Sequence, residues 1–259
     1  MIIKGVKEMR KEAGHTFLAK LGKKRLRPGG KIATEWLINQ GHFSKDKKVL
    51  EVGCNMCTTS IQLAKTYGCK IEGVDLNSKA LEKGAQNIAY EHVSHLIHLQ
   101  KANAMNLPFE DEQFDIILNE AMLTMLPIKA KEQALKEYYR VLKPGGVVLT
   151  HDIAIINIDS KDEIIQNLSD AINIKVTPLL TAEWYKLYKE AGFNNIKSKV
   201  GALTLMTPSG MIRDEGILGT LKIIKNALKK ENRSMFIKMF KTMKRYKADM
   251  NYIVHAVRK

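Results

Sequence analysis

The chain has 259 residues, with 42 Lys and Arg against 27 Asp and Glu, for a net charge of +15. That length suits one α/β domain with an appendage and excludes two domains of equal weight. No run of about eighteen apolar residues could span a bilayer, and three cysteines are too few for a disulfide framework.

The charge is unevenly spread. Residues 1–48 and residues 211–259 each hold 13 Lys/Arg against 4 Asp/Glu, which leaves the stretch between them slightly acidic. Both ends therefore favour anionic partners or substrates, while the middle does not. Met1-Ile2-Ile3 meets charge too soon for a secretory signal, so the sequence reads as cytosolic.

In chain order, residues 1–44 read as a basic helical arm. Its first helix ends at Arg27-Pro28-Gly29-Gly30, because Pro-Gly-Gly cannot continue it, and Ile32, Trp36, Leu37 and Ile38 mark a short amphipathic helix beyond. From Lys48 the pattern alternates: strand 48–53, helix 58–67, strand 70–75, helix 78–91, strands 95–100 and 114–119, helix 129–142, strand 146–152. This order predicts an α/β, doubly wound parallel sheet. Thr181–Ala191, stopped by Gly192, reads as a helix with Thr181 as N-cap and Glu183 in its first turn. Strand 195–206 and a final strand at 251–257 follow. Between them, Ile217, Leu218, Leu221, Ile224 and Leu228, then Met235, Phe236, Met239, Phe240 and Met243, fall at helical spacing. A helical insertion over 208–249 is expected there, as a lid or part of an acceptor pocket. Such a Met and Phe stripe is more often ordinary core packing than a substrate surface, and both can hold, since a lid must pack somewhere.

The most informative segment is Val49-Leu50-Glu51-Val52-Gly53-Cys54-Asn55-Met56-Cys57, followed by Ile71-Glu72-Gly73-Val74-Asp75. An apolar strand ending in a glycine turn, a helix, and a second strand ending in Asp open a nucleotide-binding βαβ unit. Only Gly53 stands where a dinucleotide site has three glycines, so a pyrophosphate site is disfavoured. Cys54 and Cys57 form a Cys-x-x-Cys pair, but no second Cys or His pair at zinc spacing accompanies them, and no metal site is assigned.

Glu51-x-Gly53-Cys54 with Asp75 at the end of the next strand resembles motif I and the acidic loop of the class I S-adenosylmethionine-dependent methyltransferases. Asn103-Ala104-Met105-Asn106-Leu107-Pro108-Phe109, Phe114-Asp115-Ile116-Ile117-Leu118 and Val141-Leu142-Lys143-Pro144-Gly145-Gly146 resemble its later motifs, in the right order. The resemblance covers roughly residues 45–155. It implies a Rossmann-like seven-stranded sheet with a terminal antiparallel hairpin, the insertion lying between the last two strands, and a methyltransferase domain over 45–259. The cofactor implied is S-adenosyl-L-methionine, with S-adenosyl-L-homocysteine as product.

By position, the resemblance places Gly53, Cys54 and Asn55 under the methionine part, with Glu51 shaping the turn. Asp75 binds the ribose hydroxyls, Leu76 packs on adenine, and Asn103 and Ala104 reach the adenine edge, Asn103 standing where many relatives have Asp. Asn119 follows the fourth strand, where the family contacts the cofactor. Glu120 is the first candidate to meet the acceptor, as general base or partner of a cationic amine, with His151 and Asp152 next. Arg27 and the neighbouring glycines could meet the cofactor carboxylate, or form only a helix-entry turn.

The expected function is methyl transfer to a small-molecule acceptor, anionic or lipid-like. Two alternatives stand beside it. One is an RNA methyltransferase using the basic flanks, disfavoured by the lack of an Asn-Pro-Pro-Tyr-like tetrad and of interleaved aromatics. The other is a non-catalytic cofactor-binding module for a membrane surface or a protein, for which 217–247 has the composition.

Overall fold

A computed structural model of the chain describes residues 12–259; the basic residues expected to begin the arm lie outside that range. The arm's described part holds α1 (Gly14–Leu21) and α2 (Gly30–Gly41). Strands β1 (Lys48–Val52), β2 (Lys70–Asp75), β3 (Ile97–Lys101), β4 (Phe114–Glu120) and β5 (Leu142–Ile155) alternate with α3 (Thr58–Tyr67), α4 (Ser78–Tyr90) and α5 (Ile128–Val141). Then come α6 (Lys161–Ile172), β6 (Leu179–Leu180), α7 (Thr181–Glu190), β7 (Asn194–Ala202), α8 (Pro208–Ala227), α9 (Lys230–Arg245) and β8 (Met250–Arg258).

The sheet order is β3-β2-β1-β4-β5-β8-β7, and β8 runs antiparallel to both of its neighbours. This is the expected doubly wound sheet with its terminal hairpin, plus a two-residue β6 paired with β5. The order reverses beside β1, so β1 and β4 open a crevice at their C-terminal ends. Along each central strand successive residues enter opposite layers: Val49 and Ile116 pack in one core, Leu50 and Ile117 in the other. Strands buried on both faces explain why these segments read as continuous apolar runs.

Local chemistry sets the element ends. The Asn77 side chain caps α4 by accepting from the amides of Lys79 and Ala80. In α7 the cap is Leu180 and not Thr181, because the Glu183 carboxylate reaches back to the Leu180 amide at 2.8 Å. Gly84 has a structural need: a Cβ there would lie 2.7 Å from Cys57 Sγ, so α4 approaches the turn only with glycine.

The insertion forms two helices, with a break in α8 at Gly216 (φ 74°, ψ 171°). A third apolar cluster joins it to the arm, where Phe17, Leu18 and Leu21 meet Met206, Met211, Ile223 and Met239. The Met and Phe stripe of α9 is thus packing surface. The stripe of α8 is not, since Ile217, Leu218, Leu221, Ile224 and Leu228 all face outward. That helix docks by its other side, through Thr220, Ile223 and Ala227. No helix among the described residues is long and apolar enough to cross a membrane.

Candidate functional site

The turn after β1 is pinned to β2: the amides of Gly53 and Cys54 donate to the Val74 carbonyl at 2.8 and 3.1 Å. Gly53 adopts φ 74°, which L side chains rarely do, and a Cβ there would sit 3.3 Å from Met122. Asn55 and Cys57 also take left-handed backbone (φ 49° and 62°), so a sharp loop is built without further glycines. Asp75 closes it. Its Oδ2 accepts from the Asn55 amide at 3.0 Å and its Oδ1 from the Asn77 amide at 2.9 Å. Each oxygen keeps a lone pair free for a ligand hydroxyl.

Beneath the turn, buried Glu51 accepts from the Ser60 amide at 3.0 Å and from the Ser60 hydroxyl. Burial pushes its carboxyl up to about 7. Asn119 donates to the Val52 carbonyl at 2.7 Å, while its Oδ1 is buried without a partner among the described residues. Cys54 and Cys57 are buried free thiols. A hydrogen bond with Cys57, and then burial, raise the Cys54 thiol far above its usual range.

The arm completes the crevice. Arg27 Nε lies 2.9 Å from Glu120 Oε2, and its guanidinium also donates to Thr34 Oγ1 at 3.0 Å and to Thr59. Thr34 donates to the same Glu120 oxygen at 2.7 Å. Burial alone would raise the Glu120 carboxyl, but Arg27 and bonds from His151 and Thr34 outweigh it and hold the carboxyl below its usual range. His151 Nε2 accepts from the Gly29 amide at 2.9 Å, so Nδ1 carries the proton and faces Glu120 at 3.4 Å. Burial lowers the His151 pKa and keeps the ring neutral. Gly29 therefore serves His151, and Gly30 (φ 55°) turns the chain against the Asp214 carboxylate, where a Cβ would lie 2.3 Å away.

A cavity of about 190 Å³ opens between these elements, walled by His15, Lys24, Arg27, Glu51, Gly53, Asn55, Asp75, Glu120 and Met122, among others. It brings Glu51, Gly53, Cys54, Asn55, Asp75 and Glu120 together. Leu76, Asn103, Ala104 and Asn119 do not line it. Leu76 is exposed at the rim, and the Ala102 amide donates to the Asp75 carbonyl at 3.3 Å, which sets the 102–104 loop beside it. Asn103 Oδ1 accepts from the Met105 amide at 3.0 Å in its own turn.

Asp152 stands apart from Glu120 and His151. Its Oδ1 accepts from the Thr124 amide at 2.9 Å, its Oδ2 is buried without a partner among the described residues, and burial raises its carboxyl to about 6. It faces a second, apolar cavity of about 80 Å³, walled by Leu18, Leu168, Leu205, Met239 and Met243. The two cavities share His15, Leu26, Ala121 and Met125. A third, of about 380 Å³, shares Pro28, Ile153, Leu205 and Met243 with the second and reaches Lys244 and Lys247 at its rim. His15 was not anticipated from sequence. Its Nδ1 is buried without a partner among the described residues, and burial, opposed by the Asp75 charge, lowers its pKa.

The polar cavity fits a nucleoside bearing an amino acid. Asp75 offers two ordered oxygens to a diol, Gly53 lines the wall with no side chain, and Lys24 and Arg27 stand where a carboxylate could be met. A methyltransferase-domain family matches residues 49–146. A protein of Haemophilus influenzae described as uncharacterized is 59% identical over 231 residues, 89% of this chain and 92% of that one. A demethylmenaquinone methyltransferase of Lactiplantibacillus plantarum is 37% identical over 109 residues, 41% of this chain, which spans 45% of that protein. In fold, the chain is similar to phosphoethanolamine N-methyltransferase 2 of Haemonchus contortus in complex with S-adenosyl-L-methionine (TM-score 0.73, 17% identity, 95% of this chain and 56% of that one). The motifs, their placement around the β1 turn and these likenesses agree: the chain belongs to the class I S-adenosylmethionine-dependent methyltransferases.

Proposed function

We propose that the enzyme methylates an apolar small molecule that carries an anionic group and an ionisable nucleophile. The observation that carries this reading is the wall shared by the polar cavity at the strand ends and the apolar cavities under the insertion. S-adenosylmethionine, when bound, supplies an electrophilic methyl group. The protein's part is then to position the acceptor atom in line behind it and to exclude water.

Asp75 and the Gly53 turn hold the nucleoside end. His15, at the junction with a ring nitrogen unpartnered among the described residues, takes the acceptor's proton through Nδ1. Glu120 and His151 act in this reading as positioning residues, since both are engaged in holding the arm. Asp152, at about 6, orients a polar group of the acceptor. Residues 208–249 serve as a lid whose apolar inner wall takes the acceptor body, with Lys244 and Lys247 at the mouth for its charge.

The test is donor titration followed by methyl transfer to acceptors graded from hydrophilic to amphiphilic. Leu205→Trp and Met243→Trp, which intrude on the apolar wall, are expected to raise the acceptor KM about tenfold and leave donor affinity unchanged. Turnover confined to hydrophilic acceptors and indifferent to either tryptophan would refute the reading.

A further inference from the structure

The outer face of α8 has no partner among the described residues. After the break at Gly216, Ile217, Leu218, Leu221, Ile224 and Leu228 share one stripe, with Ile217 66% and Leu218 83% exposed. The opposite side is fixed to the arm: Ile223 and Ala227 are buried there, and the Asn226 side chain donates to the Leu21 carbonyl at 3.0 Å. The helix therefore keeps its place without burying the stripe, and five neighbouring large apolar side chains on one surface mark a docking site.

The charge beside the stripe says what covers it. At 100° per residue, Lys222, Lys225 and Lys229 flank it along one edge, all exposed. No Asp or Glu occurs from Gly216 to Lys230. An apolar stripe with a lysine border and no acidic residue matches a helix lying in the headgroup region of a bilayer. Antiparallel self-pairing through the same stripe would set the lysine row of one copy against that of the other, which is unfavourable.

We infer that residues 217–228 dock the enzyme on an anionic membrane surface, with the apolar stripe inserted and the lysines on the headgroups. The docking needs neither cofactor nor turnover, so it stands apart from the proposed reaction.

Co-sedimentation of the full chain with phosphatidylcholine vesicles, with and without phosphatidylglycerol, tests it. The wild type is expected to bind the anionic vesicles and to leave the neutral ones largely unbound. Leu218→Glu/Leu221→Glu and Lys222→Glu/Lys225→Glu are each expected to weaken binding about tenfold or more. Both pairs are solvent-exposed, so unchanged melting and donor affinity serve as folding controls. Absence of wild-type binding, or equal binding by the variants, overturns the inference. So does a wild-type dimer that Leu218→Glu/Leu221→Glu dissociates in a protein indifferent to vesicles, which would make a second copy the occupant.

Discussion

Arg27 Nε and Glu120 Oε2 lie 2.9 Å apart with almost no water access, joining the N-terminal arm to the end of β4 at the mouth of the crevice. Removing one member of such a pair strands the other charge in a poor solvent. Arg27→Met is expected to cost about 3 kcal/mol, with Arg27→Met/Glu120→Gln recovering part of that loss. Urea denaturation of both variants measures the difference, and a single variant no less stable than the double would show the pair to be energetically idle.

His15 is expected to matter for turnover and little for donor binding. His15→Ala should lower kcat about a hundredfold while the affinity for S-adenosylhomocysteine changes by less than twofold, as calorimetry would report. Because burial lowers its pKa from 6.5, the ring stays a free base to more acidic pH than an ordinary histidine. The wild-type rate should therefore be level above neutrality and fall only below 6.5, and a limb rising above pH 7 would assign the base elsewhere.

In the proposed reading the β1 turn and Asp75 carry donor affinity. Asp75→Ala removes two acceptors ordered by backbone amides and is expected to weaken S-adenosylmethionine binding about a hundredfold. Gly53→Ala forces a side chain into left-handed backbone against Met122, and about 1–2 kcal/mol of stability should go with it. Full donor affinity in both variants would place the nucleoside elsewhere.

Stability should respond to pH through groups of opposite sign. Glu51 is raised from 4.5 to about 7 by burial, so between those values the folded state binds more protons and stability falls as pH rises. His255, with its Nε2 buried and unpartnered among the described residues, is lowered by burial from 6.5 to about 3, so stability falls as pH drops through that window. Glu51→Gln should thus gain on the wild type at pH 8 by on the order of 3 kcal/mol and differ little at pH 4. Melting scans at the two values decide it.

The sheet and the β1 turn were legible in the sequence because they rest on local and periodic signals: buried strands as apolar runs, a turn as Gly53, a strand end as Asp75. Helix α6 was not anticipated, its buried contacts being only Ile164, Leu168 and Ala171. The α8 stripe had the right period for an apolar face, but periodicity cannot tell an inward face from an outward one. The site was half legible. That Glu120 lines the cavity was readable from its place at the end of β4, whereas its engagement by Arg27 depends on a contact across the whole β1–β4 unit. His15 carried no signal, since a single histidine on an arm has neither motif nor spacing.

Lys23 meets Glu215 across 192 residues of sequence, and the amides of Lys24, Arg25 and Lys31 meet the same acidic pair of Asp214 and Glu215. On the ribosome, at about 5–20 residues per second, the arm emerges roughly 10 to 40 s before those carboxylates exist. Throughout that interval Phe17, Leu18 and Leu21 have no Met206, Met211 or Met239 to cover them, and a strongly basic leader is exposed to the nucleic acid around it. The arm supplies His15, Arg27 and Thr34, so the polar cavity can close fully only once about the first four-fifths of the polypeptide has been synthesised.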